Sequence, residues 1–367
     1  MENDKVLAHL LVNYSVSLKK GEKVFVEVTD VPDEFVLDLL EEIAKVGGYP
    51  VLFRNSSIVS AALLKNTNEE YAKLKYRYYM PIMKDMDAYI GVRGINNLYE
   101  LSDVNATHLK IDDLFYKEPI TNERVNNTKW VILNYPTPSL AQNAGLSTPV
   151  FKDYFYQVCN FDYQSMDEYL KPLEDLMDKT DKVHICGNGT DLTFSIKGIK
   201  AIRCAGKCNI PDGEVYTAPV KDSINGHVRY TIPTVYQGKR FDDVVLTIKN
   251  GKIVDAKSSN TAALNYILDT DDGARYFGEF ALGVNPKIRK PMLDILFDEK
   301  MFGSFHLTPG CCYEDASNGN KSAIHWDMVC CQTEEYGGGE IWFDDVLVRK
   351  DGMFVLPKLQ NLNFLSE

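Results

Sequence analysis

Near Asp181 the character of this 367-residue chain changes, and that change constrains the fold more than any other feature of the sequence. Before it, short runs rich in β-branched residues alternate with helical stretches. After it, brief extended runs follow one another with turn residues between them. The first pattern is that of parallel strands, which need long crossover connections. The second is that of antiparallel strands joined by tight turns. A chain of this length also exceeds the usual size of one hydrophobic core. Two domains are expected, over residues 1–180 and 181–367.

The local signals are specific. Residues 23–28 read as a strand; Phe35, Leu37, Leu39, Leu40 and Ile43 then recur at helical spacing until Gly47-Gly48, and residues 49–53 form the next strand. That β-α-β unit predicts a parallel pair. Further strands are expected over 88–92 and 130–134, with helices over 69–79 and at two places between 151 and 179. The result is an open α/β domain with a mainly parallel sheet. It has no glycine-rich phosphate loop, since Gly91 and Gly94 lack the spacing. In the second half, residues 183–186, 192–196, 228–232, 244–248 and 253–256 read as strands, with one helix over 261–268. Asn250-Gly251 is a hairpin signal, because both residues accept the positive φ of a type I′ turn, and Asp351-Gly352 repeats it. This half is expected to be mainly antiparallel β, of α+β type.

Composition excludes some partners. Hydrophobic residues make up 45% and charged residues 25%, enough apolar material for sizeable cores. The net charge of −12 disfavours phosphate backbones and anionic lipid, so neither nucleic acid nor membrane is expected as a partner. No apolar run approaches the roughly 18 residues of a membrane span. Residues 1–5 lack a basic-then-apolar leader, and the eight cysteines follow no small-domain disulfide pattern. A cytoplasmic chain with reduced thiols is expected. Cys204 and Cys208, and the adjacent pairs Cys311-Cys312 and Cys330-Cys331, lack the spacing of common zinc modules and read as small buried hydrophobes.

Four segments of the second half gather carboxylates and imidazoles beside turn residues: 209–214, 272–279, 303–306 and 322–327. His325-x-Asp327 is the sharpest. On a strand, residues i and i+2 face the same way, so the imidazole and carboxylate would converge as a divalent metal needs. Taken alone, a His beside an Asp is more often a simple hydrogen-bonded pair. Glu279, among Tyr276, Phe277, Phe280 and Leu282, would be costly to bury unpaired. Glu214 after Asp-Gly reads as a solvated turn residue, and His306 between Phe305 and Leu307 as a core histidine, unless the segments meet.

Together these stretches resemble the M29 family of metallo-aminopeptidases, of the aminopeptidase T and S type. The resemblance rests on Gly189-Thr190-Asp191-Leu192-Thr193, Pro211-Asp212-Gly213-Glu214-Val215 with Thr217-Ala218-Pro219, Gly273-Ala274-Arg275 with Gly278-Glu279, His306 followed by Tyr313, and Ile324-His325-Trp326-Asp327. Weaker similarity, such as Tyr135-Pro136-Thr137, runs through the first half. The resemblance implies a catalytic C-terminal domain whose Glu214, Glu279, His306, His325 and Asp327 hold two divalent metal ions, with zinc, cobalt, manganese and magnesium all eligible. Glu299 resembles a further acidic ligand position. Many relatives carry Asp-Glu-Asn there, with a shorter step to the histidine, whereas this chain has Asp298-Glu299-Lys300 and seven residues from Glu299 to His306. Tyr313 matches the family's active-site tyrosine and Glu279 is the first candidate for a proton-carrying base. Short peptides are the implied substrates and a homodimer the implied assembly. Two other readings keep the scaffold: an amidase of small metabolites, suggested by the unusual segment 308–312, and a non-catalytic metal- or peptide-binding protein.

Overall fold

The structure, a computed structural model, describes residues 2–363. It divides into two compact units, one of residues up to Phe161 with Gly206–Ile210, the other of Asp162–Ala205 and the chain from Pro211 onward.

The first unit is built on parallel strands β1 (Lys23–Thr29), β2 (Tyr49–Asn55), β3 (Ala88–Gly94) and β4 (Lys129–Tyr135). The short β8 (Asn209–Ile210) completes a sheet of order β2-β1-β3-β4-β8. Every pair in it is parallel, as the sequence predicts. β3 is buried at six of its seven positions, the near-continuous burial of a strand covered on both faces. Pro50, which has no amide to give to a ladder, lies in the edge strand β2. The helix Asp33–Val46 buries Phe35, Val36, Leu39 and Ile43 and stops at Gly47, whose φ of 78° lets its amide and that of Gly48 return to the carbonyls of Ala44 and Ile43. Leu37, which belongs to the same apolar run, is 64% exposed, because it lies about 200° around the helix from Phe35.

The second unit starts with the helix Tyr163–Met177, which buries Tyr163, Met166, Leu170, Leu173 and Met177. It packs on β7 (Ile202–Cys204) and β9 (Glu214–Thr217). Arg203 of β7 ties to it through Asp167 at 2.7 Å and through Glu174. An eight-stranded sheet of order β14-β13-β10-β6-β5-β18-β19-β20 is formed by β5 (Lys182–Gly187), β6 (Thr190–Ser195), β10 (Asn225–Tyr230), β13 (Val244–Lys249), β14 (Lys252–Lys257), β18 (Glu340–Phe343), β19 (Val346–Lys350) and β20 (Met353–Phe354). Asn250 (φ 48°) and Gly251 (φ 76°) make the predicted β13–β14 turn. The hairpin β11 (Thr234–Tyr236) and β12 (Lys239–Phe241) stands apart. A second antiparallel sheet, of order β17-β16-β15-β9-β7, adds β15 (Phe277–Gly283), β16 (Ser304–Pro309) and β17 (Val329–Cys331). No described helix is long and apolar enough to cross a membrane.

Candidate metal centre

β15 and β16 are buried along their whole length, yet they alternate in polarity. Phe280, Leu282, Phe305 and Leu307 turn to one face, where the Phe280 and Phe194 rings lie 5.0 Å apart. Glu279, Ala281, Gly283, Ser304, His306 and Thr308 turn to the other. The register then stacks the chemistry. Glu279 lies opposite Thr308, Ala281 lies between Tyr216 and His306, and Gly283 lies opposite Glu214. Residues opposite one another share a face, so Glu214, Glu279 and His306 rise together.

His325 and Asp327 come from the stretch before β17. The expected strand is not there: a single bridge joins His325 to Gly310, and regular pairing resumes only at Val329. Gly310 takes a φ of 112°, and a Cβ on it would lie 2.0 Å from the Ile324 carbonyl oxygen, so the two backbones meet too closely for a side chain. The backbone stays extended enough to keep the i, i+2 relation. His325 Nε2 lies 3.2 Å from Asp327 Oδ1. Trp326, between them, points the other way, stacked on Tyr236 of β11 at 4.6 Å with its indole N–H donated to Thr234.

Glu279 is central. Its Oε1 lies 3.2 Å from His306 Nε2 and its Oε2 lies 3.2 Å from His325 Nε2. Two groups of ligand atoms, each within 4.8 Å, therefore share it: Glu214, Glu279 and His306, and Glu279, His325 and Asp327. Both imidazoles are oriented alike. His306 Nδ1 faces the Glu299 carbonyl at 3.2 Å and His325 Nδ1 faces the Cys311 carbonyl at 2.8 Å. An N–H on each Nδ1 leaves each Nε2 lone pair directed at the carboxylates, the tautomer of metal-ligating histidine. Thr308 donates its hydroxyl to Asp327 Oδ1 at 2.6 Å.

Glycines bring the supporting backbone close. A Cβ on Gly278 would lie 2.1 Å from the Cys311 carbonyl oxygen, the acceptor that orients His325. The ladder register shifts at this same place, between Phe277 and Glu279. A Cβ on Gly283 would lie 2.5 Å from the Met301 oxygen and 2.9 Å from that of Glu299, the acceptor that orients His306.

The residues fit paired divalent ions on chemical grounds. Lone pairs aimed at carboxylate oxygens repel unless a cation lies between them. Glu214 Oε2 and His325 Nε2 are buried without a hydrogen-bond partner, the 3.2 Å approaches to His325 lying outside bonding directions. The electrostatics demand positive charge at the same place. Burial pushes the His306 pKa down, but Glu214 and Glu279 carry it up to about 9. His325 is raised well above its usual value, burial being outweighed by Asp327 and Tyr313. Burial also pushes Glu279 and Asp327 up, yet the two imidazoles hold both below the ordinary carboxylate range. Imidazole nitrogen and carboxylate oxygen suit zinc, cobalt, manganese or magnesium in differing degree.

Glu299 is not in either group. Its Oε1 pairs with Lys300 Nζ at 2.5 Å, and the same ammonium lies 2.5 Å from Glu214 Oε1 and 3.9 Å from Asp212. Burial pushes the Glu299 carboxyl well above its usual range. Tyr313 is 48% exposed, with its ring 4.8 Å from that of His325 and 5.5 Å from that of Tyr216. Tyr216 in turn donates its hydroxyl to Asp315 at 3.0 Å.

Sequence reasoning passed over three contributors. Lys300 was detectable as a lone cation between Phe297 and the pair Met301-Phe302, which foretells burial. Thr308 was detectable as the residue two beyond His306 on the same strand face. Asp271, which accepts from the amides of Gly273, Ala274 and Ala323 and from the Ser322 hydroxyl, left no signal, because its partners come from two distant segments. None of the eight cysteines is in a disulfide, and Cys159, Cys330 and Cys331 are buried.

The fold and this cluster of buried carboxylates and imidazoles fit a centre of paired divalent ions. The chain belongs to the family described as Thermophilic metalloprotease (M29), whose family model matches residues 2–354. It is 36% identical to Aminopeptidase 2 of Geobacillus stearothermophilus over 139 residues, 33% of this chain and 33% of that protein. It is 30% identical to Aminopeptidase T of Thermus thermophilus over 173 residues, 40% of this chain and 42% of that protein. The matched stretches thus span well under two thirds of these relatives. Wild-type AmpT from Thermus thermophilus shares the fold, with a TM-score of 0.82 at 20% identity over 97% of this chain and 99% of that one.

Proposed function

We propose that this chain is a metal-dependent aminopeptidase that removes N-terminal residues from short peptides. The observation that carries the reading is Glu279, shared by two His-carboxylate groups whose imidazoles present Nε2 to it. Glu214, Glu279 and His306 would hold one divalent ion, and Glu279, His325 and Asp327 the other. When bound, such a pair supplies an activated water and polarises the scissile carbonyl.

The protein groups do the rest. The Glu299 and Cys311 carbonyls hold the imidazoles, and the Thr308 hydroxyl holds Asp327, so that the ligands need not reorganise. Tyr313, beside His325 and half exposed, is placed to donate its hydroxyl to the developing oxyanion. Glu279 suits the role of shared ligand better than that of proton carrier, because both its oxygens are engaged and its carboxyl is held low. A homodimer in the cytoplasm, with no nucleic-acid or membrane partner, accompanies the proposal; the net charge of −12 supports its last part.

Hydrolysis by chelator-stripped protein of leucine p-nitroanilide, of dipeptides and of their N-acetylated forms, with Zn²⁺, Co²⁺, Mn²⁺ or Mg²⁺ restored singly, tests this. Metal-restored release of the N-terminal residue from free-amine substrates alone is expected. Equal turnover of the acetylated forms would point to an amidase instead.

A further inference from the structure

We infer that Lys300 is a built-in third cation of the centre, a positioning residue that withholds Glu299 from the metals and makes the two metal sites unequal. The inference rests on the two-ion reading above.

Among the described residues three groups of potential ligand atoms occur, and the third is Cys204, Asp212 and Glu214. That third group already has a positive charge at its edge. Lys300 Nζ lies 2.5 Å from Glu214 Oε1 and 3.9 Å from Asp212 Oδ1, and it also holds Glu299 Oε1 at 2.5 Å. The lysine is 1% exposed, so these acidic side chains, rather than water, receive its ammonium. Its position is enforced by the fold. The turn Glu299–Met301 lies directly over Gly283, where any Cβ would collide with it, and Gly283 is the register partner of Glu214.

Two consequences follow. Glu214 is divided: Oε1 serves the ammonium, and only Oε2, which has no hydrogen-bond partner, faces His306 Nε2 at 3.5 Å. The site of Glu214, Glu279 and His306 therefore has one oxygen of Glu214, no help from Glu299, and a like charge on its own ligand. The site of Glu279, His325 and Asp327 has no contact with Lys300 and keeps Asp327 oriented by Thr308. Like charge on a shared carboxylate weakens cation binding, so the first site should be the weaker.

The test is calorimetric titration of the chelator-stripped full-length protein with Mn²⁺. The wild type should show two binding events at least tenfold apart in Kd. In Lys300→Met the weaker event should tighten at least tenfold while the stronger moves less than threefold, an outcome that general damage to the fold cannot produce. Glu299→Gln alone should move neither event more than fivefold, and combined with Lys300→Met it should give a smaller gain than Lys300→Met alone, since only the relief of Glu214 remains. Tightening of less than tenfold, or any weakening, in Lys300→Met overturns the inference; so does loss of an event in Glu299→Gln. Lys300→Gln, of similar size and neutral, replaces the methionine variant if that fails to fold, and the Glu299→Gln arm stands without either. A wild type that binds no Mn²⁺, Zn²⁺ or Co²⁺ overturns the two-ion reading itself, whereas failure confined to the variants overturns only the role of Lys300.

Discussion

At the residue scale the centre depends on where lone pairs point. His325 reaches Glu279 and Asp327 at 3.2 Å each only because the Cys311 carbonyl fixes its ring from the opposite side. Replacing the imidazole removes the nitrogen held between two buried carboxylates. His325→Ala is expected to lose at least one metal equivalent by elemental analysis and to lose peptidase activity; a variant with full metal content and full activity would refute its role as a ligand. Tyr313 makes a different kind of contribution. Tyr313→Phe keeps the ring beside His325 and removes only the hydroxyl. It should lower kcat by about 10²–10³, the usual effect of removing one oxyanion donor, with metal content and KM nearly unchanged. A matching rise in KM would assign the hydroxyl to substrate binding instead.

At the scale of elements, short segments hold the ligands in register. Asp271 joins the approach to β15 with the approach to His325, accepting four hydrogen bonds from Gly273, Ala274, Ser322 and Ala323. Burial pushes its carboxyl up, but these donors outweigh it, so the folded pKa lies below the unfolded one. A carboxyl lowered in this way contributes stability that is complete above about pH 4 and is lost as pH falls through the folded value. Asp271→Asn should therefore cost about 1.5–3 kcal/mol in urea unfolding at pH 7, the scale of hydrogen bonds to a charged group, and the gap to wild type should narrow toward pH 3. A gap independent of pH would locate the cost in packing. Gly283→Ala probes the other end of the sheet. Its new methyl meets the turn Glu299–Met301, so about 1–3 kcal/mol of destabilisation is expected in the same assay.

For the whole molecule, the stability of the second unit is expected to depend on divalent ions. Glu214, Glu279, Glu299 and Asp327 are all buried, and among the described residues Lys300 is the lysine that ion-pairs with them. The protonated imidazoles of His306 and His325 offset part of this charge, and a bound divalent ion would offset more. An ion at about 100 times its Kd should stabilise the fold by roughly 2.7 kcal/mol. Stripping the protein with a chelator should thus lower Tm by about 5–10 °C in scanning calorimetry, with recovery on adding back a divalent ion. An unchanged Tm would mean that the ions, if bound, do not contribute to folding.

Much of this was legible in the order of residues alone. Periodicity foretold the parallel sheet, the β13–β14 turn and the change of architecture, because those depend on neighbours within a few positions. Glu279 stood out as costly in apolar surroundings and His325-x-Asp327 as a converging pair, whereas Glu214 and His306 read alone as a turn residue and a core histidine and joined the set only through the family resemblance. Whether they meet is a matter of register, and register is set by contacts between segments dozens of residues apart. The tertiary structure alone decided that Ala281 aligns with both Tyr216 and His306, that the His325 segment is not a regular strand, and that Asp271 braces it. It alone also decided that Lys300 pairs with both Glu299 and Glu214. A pairing between Lys300 and Glu214, separated by 86 positions in the chain, leaves no trace in either residue's neighbours; only the closing of one sheet face brings the two charges together.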